Sequence, residues 1–488
     1  MKRKREGKSL SPISSDLGID VNALAGVTQD SRQVEKGFLF AALSGGTFDG
    51  KDYISDAVSN GASVILCDEG VSCSDEVQCV SVENPRQVFS HVVSEFYGEQ
   101  PVYVTAVTGT NGKSSVVHFI DQLLFSLNKE SAYIGTLSNV MTTPDPVVLH
   151  STLAQMARDG VQYVALEASS HGLAQYRMDG VRINVAAFTN FTQDHLDYHK
   201  DMGDYLDAKQ RLFSELLPEN GVAVLNADIP EYERLDSMCR MRGVRTVSYG
   251  RKGKDIQLLS FSAVEFSQDI EVKVFDQTYK VSLPLAGYFQ VMNALCALSC
   301  VLAQGETDMD RLVQSLEKLE GVPGRIQHVC DDKSVYHAYV DYAHTPDALE
   351  NVLKTLRAHC QGRLICVFGC GGDRDQSKRE PMAKVVSDLA DMAIVTDDNP
   401  RTEDPSAIRT AIIEHMTGSF TEISDRRMAI QHAAALMEPE DILLVSGKGH
   451  EQGQIFADVT EPFDDVSEVE KALSENVLRK NPKSNCVE

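Results

Sequence analysis

Residues 102–115 read Val-Tyr-Val-Thr-Ala-Val-Thr-Gly-Thr-Asn-Gly-Lys-Ser-Ser, and a helical apolar pattern follows over residues 116–127. The first six residues are rich in β-branched side chains, which is typical of a buried parallel strand. A glycine-rich loop between a strand and a helix presents backbone N–H groups, and the helix N-terminus adds partial positive charge. The segment therefore predicts a phosphate-binding loop in an α/β protein.

The side chains of this loop predict nucleotide chemistry. Lys113 can reach the β- and γ-phosphates, and the Ser114 hydroxyl can bind Mg²⁺. Val107 stands where longer loops of this kind carry a further glycine, which argues against an ordinary GTPase or motor ATPase. A glycine-rich turn without a ligand is the alternative. The residues that we assign to ATP in this segment are Gly109, Thr110, Asn111, Gly112, Lys113, Ser114 and Ser115.

Strand-like and helix-like segments alternate on both sides of the loop. Apolar runs such as 163–166 and 222–225 are separated by helical patterns, which predicts a parallel sheet covered on both faces, and residues 255–284 alternate as in an antiparallel insertion. Breaks at 98–101 and 321–324 divide the chain. We predict an α/β protein with a small N-terminal α/β domain (1–99), a central P-loop domain with a doubly wound sheet (100–322) and a Rossmann-like C-terminal domain (323–488).

Composition excludes several classes of protein. The chain of 488 residues has a formal net charge of -25, which argues against nonspecific binding of nucleic acid or anionic lipid. No apolar stretch of about 20 residues is present, so we expect no membrane insertion. The 11 cysteines show no metal-like spacing, which predicts free thiols in a reducing cytoplasm.

Three further side chains are candidates for the same site. Glu167 ends an apolar strand, where open parallel sheets bind ligands, and a carboxylate there suits Mg²⁺. An N-cap or a structural ion pair is the alternative for Glu167. His195 lies in a segment, residues 189–199, whose histidines and aspartates permit either a metal site or a solvated loop. Lys209 lies on an amphipathic helical pattern, which by itself predicts a surface lysine.

Together the motifs resemble the Mur ligase family, and the resemblance extends over nearly the whole chain. Motifs in a fixed order are more specific than any one of them. Those that carry the resemblance are Thr-Gly-Thr-Asn-Gly-Lys-Ser (108–114), Glu-Ala-Ser-Ser-His-Gly-Leu (167–173), Asp-His-Leu-Asp-Tyr-His (194–199), Val-Asp-Tyr-Ala-His-Thr-Pro-Asp (340–347), Gly-Cys-Gly-Gly-Asp-Arg-Asp (369–375) and Asp-Asn-Pro-Arg (398–401).

The resemblance implies a reaction and its partners. It implies an ATP-dependent amide ligase that adds meso-2,6-diaminopimelate to UDP-N-acetylmuramoyl-L-alanyl-D-glutamate through an acyl phosphate, in the synthesis of peptidoglycan precursors. The first domain is expected to bind the uridine nucleotide, the second ATP, and the third the amino acid. We expect a cytoplasmic monomer that depends on Mg²⁺.

The resemblance also implies roles for single residues. Lys113, His195 and Lys209 are the implied catalytic residues, and Ser114, Glu167, His195 and Lys209 the implied metal ligands. The resemblance implies that Lys209 is a carbamate, N6-carboxylysine. This is chemically sensible, since an ammonium 4 Å from a cation would be repelled by about 4 kcal/mol per unit charge at an effective dielectric constant of about 20. The other implied contacts are Asn293 and Arg325 with ATP; Ser31, Gly46, Thr47, Phe48, Thr142, Thr143, Ser169, Gln175 and Arg177 with the UDP substrate; and Arg374, Asp398, Asn399, Pro400, Arg401, Gly447 and Glu451 with diaminopimelate.

We predict that Arg401 determines which amino acid is accepted. Diaminopimelate differs from lysine by a distal carboxylate, which a guanidinium can bind through two parallel hydrogen bonds. A loop salt bridge is the alternative role for Arg401. Three other functions remain open: a related ligase such as a folylpolyglutamate synthetase, a P-loop switch or kinase that ligates nothing, and an inactive nucleotide-binding module.

Overall fold

The computed structural model describes residues 13–45, 49–138, 141–264, 267–329 and 336–480, with side chains described to residue 475. The N-terminal region forms a parallel sheet in the order β1-β2-β3-β4. Its elements are β1 (Gly26–Thr28), β2 (Phe38–Ala42), β3 (Val64–Asp68), β4 (Gln78–Val82), α1 (Ile13–Asp16), α2 (Ile54–Ser59) and α3 (Pro85–Tyr97).

Helices cover both faces of this first sheet. Phe89 and Val92 of α3 pack against Leu39 and Leu66 on one face. Ile54 of α2 belongs to the apolar cluster on the other face. Strands that are buried on both faces must be apolar throughout, which explains the unbroken apolar runs in β2 and β3.

The central region has a larger mixed sheet in the order β13-β12-β11-β10-β9-β8-β5-β7-β6. Its strands are β5 (Tyr103–Thr108), β6 (Ser131–Ile134), β7 (Tyr163–Glu167), β8 (Val185–Phe188), β9 (Val222–Asn226), β10 (Arg245–Gly250), β11 (Ile256–Val264), β12 (Ser267–Val274) and β13 (Gln277–Leu283). Its helices are α4 (Lys113–Ser126), α5 (Pro146–Arg158), α6 (Ser170–Ala174), α7 (Met202–Arg211), α8 (Tyr232–Met241), α9 (Tyr288–Ala303) and α10 (Met309–Ser315).

This sheet is doubly wound. Val117 and Leu124 of α4 pack with Leu298 of α9 on one face, whereas Leu153 of α5 and Leu235 of α8 belong to the core on the other face. The strands β11, β12 and β13 are the predicted antiparallel insertion, and they extend the same sheet through the parallel pair β10–β11. The predicted fold class is confirmed.

Strand β5 is the point at which the strand order reverses. The chain runs from β5 to β6 and β7 on one side and then crosses to β8 on the other side. Val107 pairs with Glu167 of β7, and Thr108 pairs with Phe188 of β8. The loops that follow these three strands therefore leave from one edge, which is where doubly wound sheets bind ligands.

The C-terminal region forms a further sheet in the order β14-β15-β19-β16-β17-β18, in which only the edge strand β14 is antiparallel among the described residues. Its strands, with a separate hairpin β20–β21, are β14 (Gln327–Val329), β15 (His337–Asp341), β16 (Leu364–Phe368), β17 (Met392–Val395), β18 (Phe420–Glu422), β19 (Ile442–Ser446), β20 (Gly453–Phe456) and β21 (Val459–Pro462). Its helices are α11 (Pro346–His359), α12 (Arg379–Leu389), α13 (Pro405–Ile413), α14 (Arg426–Leu436) and α15 (Asp465–Lys480).

The expectation that the cysteines are free thiols is wrong for one pair. Free thiols were expected, but Cys73 and Cys79 form a disulfide. The pairing arises because the short chain between β3 and β4 folds back over the strands, which the spacing of the cysteines does not reveal. None of the described helices is long and apolar enough to cross a membrane.

Candidate active site

The phosphate loop is held by glycine and by the segment after β8. Gly112 has φ 85°, and a Cβ atom there would lie 2.4 Å from Oδ1 of Asn293, so only glycine fits. Asn293 of α9 therefore lies directly against the loop, as expected for an ATP contact. The N–H of Thr110 donates to the carbonyl of Asn190 (3.0 Å), and the N–H of Asn111 donates to Oδ1 of Asn190 (2.8 Å).

Lys113, the first residue of α4, folds back over the loop. Its Nζ donates to the carbonyls of Gly109 (2.9 Å) and Thr110 (2.7 Å). Burial lowers the pKa of Lys113, and the negative charges of Glu167 and Asp194 oppose that effect. A loop with a desolvated cation and a free helix N-terminus can bind phosphate oxygens.

Glu167 ends β7 beside this loop. Its Oε1 accepts a hydrogen bond from the N–H of Thr136 (2.8 Å). Burial raises the pKa of the Glu167 carboxyl, while Lys113, Thr136 and Ser114 act in the opposite direction. The carboxylate therefore lies within the electrostatic range of both Lys113 and the Ser114 hydroxyl.

Lys209 is not a surface residue, and the prediction from its helical pattern alone is wrong. Its side chain is 1% exposed, and its Nζ donates to the carbonyl of Gly109 (2.7 Å), the same oxygen that Lys113 contacts. Burial, together with the charge of Lys113, lowers the pKa of Lys209 well below its usual range. The fold of the loop over α7, rather than the amphipathic pattern of α7, brings the two amines together.

His195 lies in the segment after β8 and has φ 55°. Its ring packs against the ring of His171, with centroids 4.8 Å apart, and its Nε2 lies 3.5 Å from Oδ2 of Asp194. Burial lowers the pKa of His195 to about 3, although Asp194 opposes the shift. The imidazole is therefore neutral near pH 7 and has a nitrogen lone pair for a metal ion.

These donors fit a magnesium site. The carboxylate of Glu167 and the hydroxyl of Ser114 are hard oxygen donors, which Mg²⁺ prefers, and neutral His195 can add a nitrogen. Lys209 as an amine is a poor ligand for Mg²⁺. Its buried amine has a depressed pKa, so its neutral form can react with carbon dioxide to give an anionic oxygen ligand at this position.

Most residues predicted to hold the muramoyl-peptide arm form one hydrogen-bonded network. Thr143 donates to the carbonyl of Glu167 (2.7 Å), and Ser169 donates to Oγ1 of Thr143 (3.0 Å). Arg177 donates to the carbonyl of Thr143 (2.7 Å) and to Oε1 of Gln175 (2.6 Å). The network therefore begins at the backbone of the predicted metal ligand.

The other predicted contacts with the UDP substrate lie at the edge of this network or outside it. Thr142 shares a hydrogen bond with Thr136 (3.0 Å), which brings it to the edge of the same network. Ser31 begins a short 3₁₀ turn in the N-terminal region, and its carbonyl accepts a hydrogen bond from Asn60 (3.1 Å). Gly46, Thr47 and Phe48 lie outside the described residues.

The predicted diaminopimelate contacts gather at the carboxyl edge of the C-terminal sheet. Asn399 donates to Oε2 of Glu451 (2.8 Å). Nη1 of Arg401 donates to the carbonyls of Gly372 (2.9 Å) and Asn399 (3.3 Å). Among the described residues Arg401 has no carboxylate within ion-pair distance, although its charge contributes to the lowered pKa of Asp373.

The other predicted diaminopimelate contacts lie near the same edge of the C-terminal sheet. Gly447 has φ 122°, and a Cβ atom there would lie 2.4 Å from Oδ2 of Asp398, which explains the glycine. Pro400 is buried beside Asp398. Arg374 is half-exposed, and its Nη1 lies 3.9 Å from Oδ2 of Asp197 in the central region.

Several contacts join the central and C-terminal regions across the site. Nδ2 of Asn111 donates to Oδ2 of Asp347 (3.1 Å), and His344 lies 3.9 Å from Asp194. The guanidinium carbon of Arg325 lies 4.4 Å from the ring centroid of Tyr342, and the charge of Arg325 contributes to the lowered pKa of Lys113. The C-terminal sheet edge thus faces the phosphate loop.

Asp347 and His344 were missed as functional candidates, although the motif at residues 340–347 carried the resemblance. Their position directly after a predicted strand was the available signal.

Lys448 was missed for a different reason. It is fully buried, and its Nζ donates to Oδ1 of Asn399 (2.8 Å) and lies 3.1 Å from Oε2 of Glu451. Lys448 therefore orients two of the predicted diaminopimelate contacts. No pattern in the sequence separates a buried lysine from a surface lysine in a glycine-rich loop, so only the structure identifies this role.

Comparisons with known proteins agree with this geometry. The Mur ligase family, catalytic domain, matches residues 23–106; the Mur ligase middle domain matches residues 107–301; and the Mur ligase, glutamate ligase domain, matches residues 324–449. The chain is similar to the UDP-N-acetylmuramoyl-L-alanyl-D-glutamate–2,6-diaminopimelate ligase of Caulobacter vibrioides, at 47% identity over 92% of this chain and 95% of the relative.

Further similarities extend over the same length. The ligase of the same name from Brucella melitensis is 45% identical over 92% of this chain and 94% of the relative. A solved structure of a ligase with this name has a TM-score of 0.67 and 33% identity, and the match covers 96% of this chain and 99% of that one. On these matches and on the site described above, the chain belongs to the Mur ligase family.

Proposed function

We propose that this protein is an ATP-dependent amide ligase that adds meso-2,6-diaminopimelate to UDP-N-acetylmuramoyl-L-alanyl-D-glutamate. The observation that carries the proposal is the position of Arg401 and Glu451 at the sheet edge that faces the phosphate loop. The named relatives, which are 45–47% identical over most of the chain, support the same reaction.

The first step is phosphoryl transfer. A free carboxylate of the D-glutamyl residue attacks the γ-phosphorus of ATP, which gives an acyl phosphate and ADP. Such a transfer needs in-line positioning and neutralisation of charge more than covalent help from the protein. Lys113 supplies a desolvated cation at the phosphates, and Arg177 and Ser169 orient the peptide arm. Glu167 and Ser114 would hold Mg²⁺, which would supply positive charge against the phosphate oxygens.

The second step is amide formation. The amine of diaminopimelate attacks the acyl carbon, phosphate leaves, and the attacking nitrogen loses a proton. Glu451 is suited to hold an ammonium of the amino acid, and Arg401 holds its distal carboxylate. The contacts between Asn111 and Asp347 and between His344 and Asp194 keep water away from the reactive acyl phosphate by holding the two regions together.

Lys209 acts as a carbamate in this proposal. Its neutral amine attacks carbon dioxide, and loss of one proton leaves an anionic carbamate beside Lys113. The depressed pKa of the amine supports the proposal, because only the neutral amine reacts. Incubation with ¹³C-bicarbonate should give one carbamate carbon resonance in the NMR spectrum, absent from Lys209→Ala. The same spectrum from Lys209→Ala and the unchanged protein would contradict the modification.

The reaction itself is tested by ADP release in the presence of the UDP-muramoyl dipeptide. We expect release that depends on the amino acid and is much faster with meso-diaminopimelate than with L-lysine. Equal rates with the two amino acids would contradict the assigned substrate. Release without any amino acid would instead support a P-loop switch or kinase.

Three further features belong to the same proposal. The uridine nucleotide binds the domain at residues 1–99, ATP binds at 100–322, and the amino acid binds at 323–488. The protein works as a monomer in the cytoplasm. Size-exclusion chromatography with light scattering tests whether the protein is a monomer, since a stable dimer would contradict that part of the proposal.

A further inference from the structure

Three cysteines of the N-terminal region meet on one face of its sheet. Cys67 lies on β3 and Cys79 on β4, where Ile65 pairs with Cys79 and Cys67 pairs with Ser81. Alternate residues of a strand share a face, so the side chains of Cys67 and Cys79 point the same way. Their sulfur atoms are 3.7 Å apart.

Cys73 reaches this face through an unusually short connection. Parallel strands normally need a crossover of about a dozen residues or more, usually with a helix, but β3 and β4 are joined by residues 69–77 alone. Val71, Cys73 and Val77 fold down onto the apolar cluster that contains Cys67. The three sulfur atoms consequently lie within 4.8 Å of one another.

The separation of Cys67 and Cys79 fits a thiolate-bound cation, whereas Cys73 and Cys79 are joined by a disulfide that must first be reduced. Zinc bound by thiolates at about 2.3 Å in a tetrahedron has sulfur–sulfur edges of about 3.8 Å. The separation of Cys67 and Cys79, 3.7 Å, is close to that edge. No other group of three cysteine, histidine or acidic residues in the described ranges has ligand atoms so close together.

The surroundings favour a positive ion and allow it to enter. Asp68 is adjacent to Cys67, and acidic residues also occupy the connection at Glu69, Asp75 and Glu76. A cleft of about 530 Å³ opens beside Cys73.

We propose that Cys67, Cys73 and Cys79 form a binding site for a thiophilic divalent cation such as Zn²⁺, available when the Cys73–Cys79 disulfide is reduced. A dithiol reductant supplies two electrons and two protons, which convert the disulfide into two thiols while the reductant becomes a disulfide. The cation then binds three thiolates, and the thiol protons pass to solvent. In the oxidised protein only Cys67 remains as a thiol donor.

Cobalt is a suitable probe, because its bonds to thiolates absorb light. The full-length protein is reduced with dithiothreitol, freed of reductant under argon, and titrated with Co²⁺. We expect a thiolate-to-cobalt charge-transfer band that saturates at one ion per chain and is lost on addition of Zn²⁺. The protein with an intact Cys73–Cys79 disulfide should not give the saturable band.

Cysteine-to-serine variants test which residues bind the cobalt ion. Cys67→Ser, which keeps the disulfide pair, should weaken cobalt binding at least about tenfold, because loss of a residue that only orients a ligand already costs about 10–100-fold. Cys73→Ser, in the surface connection, should have the same effect and is less exposed to a folding defect. Cys239→Ser, a buried cysteine elsewhere, is the matched control and should bind as the unchanged protein does.

Two results would overturn the site: no charge-transfer band in the reduced protein, or equal cobalt affinity in Cys67→Ser, Cys73→Ser and the unchanged protein. The readout is absorption by a metal–thiolate bond. It is therefore independent of the ligase reaction and of the function proposed above.

Discussion

The phosphate loop and the amino-acid site hold buried lysines in different ways. Lys113 and Lys209 both donate to the carbonyl of Gly109, and burial lowers the pKa of each. In the amino-acid site, Lys448 instead contacts Asn399 and Glu451, which are themselves hydrogen-bonded. One site has desolvated amines that an anionic ligand would stabilise, whereas the other has a polar network that is complete before the ligand binds.

Because of this difference, we expect the phosphate loop to govern phosphate binding and turnover, and the amino-acid site to govern which amino acid is accepted. A desolvated cation gains strongly when phosphate arrives, because charge interactions are stronger in a region of low dielectric constant. A network that is already satisfied gains less, but it fixes the geometry in which one amino acid is accepted. Substitutions in the loop should therefore act on turnover, and those in the network on recognition of diaminopimelate.

The largest effect is expected for Lys113→Ala. Loss of the cation at the γ-phosphate should lower kcat by at least about 10²–10³-fold, the cost of removing one preorganised donor to developing charge. ADP release measures the change. Lys252→Ala, at an exposed position, is the control and should keep normal turnover. Near-normal activity of Lys113→Ala would contradict the role of the loop.

Arg401→Lys should change selectivity. An ammonium cannot make two parallel bonds to a carboxylate, and loss of about 1.5–3 kcal/mol should raise KM for diaminopimelate by about 10–150-fold. KM for ATP should stay the same. Steady-state kinetics with each substrate varied in turn provide the measurement.

Arg357→Lys, whose guanidinium pairs with Asp391 at 2.6 Å, is the matched control for Arg401→Lys. An equal rise in KM for ATP and for diaminopimelate in Arg401→Lys would show that the side chain supports the fold rather than the amino acid.

Lys448→Met tests whether the buried lysine orients the network. We expect KM for diaminopimelate to rise about tenfold, from loss of about 1.5 kcal/mol in a charge-assisted hydrogen bond, with KM for ATP unchanged. Lys448→Arg should restore part of the affinity, since it keeps the charge. Lys471→Met, at an exposed lysine that contacts Glu468, is the control.

If Lys448→Met lowered only kcat, or lowered stability without any change in KM for diaminopimelate, the lysine would have no positioning role.

The smallest effect is expected for Ser377→Ala. The hydroxyl of Ser377 accepts a hydrogen bond from Gln193 (3.0 Å) across the two regions, but this contact is exposed. Surface substitutions of this kind change stability by about 0.5 kcal/mol or less. Stopped-flow and steady-state rates should therefore stay within about twofold. A tenfold loss would mean that closure of the site depends on this one contact.

Prediction from sequence succeeded best where the signal was local. The strand at β5, the loop and the start of α4 follow from neighbouring residues, and the structure confirms them. Glu167 could be placed at a ligand-binding edge because the end of a strand is visible in the pattern. The burial of Lys209 could not be derived from its helical pattern, because another segment covers that face.

Local sequence was sufficient for the α/β class, the phosphate loop and, through ordered motifs, the family. Only long-range packing placed Lys209 beside Lys113 and Lys448 beneath Asn399. The physical reason is the same in each case. Periodicity reports which residues share a face, whereas burial, pKa and ligand geometry depend on what the rest of the chain brings to that face.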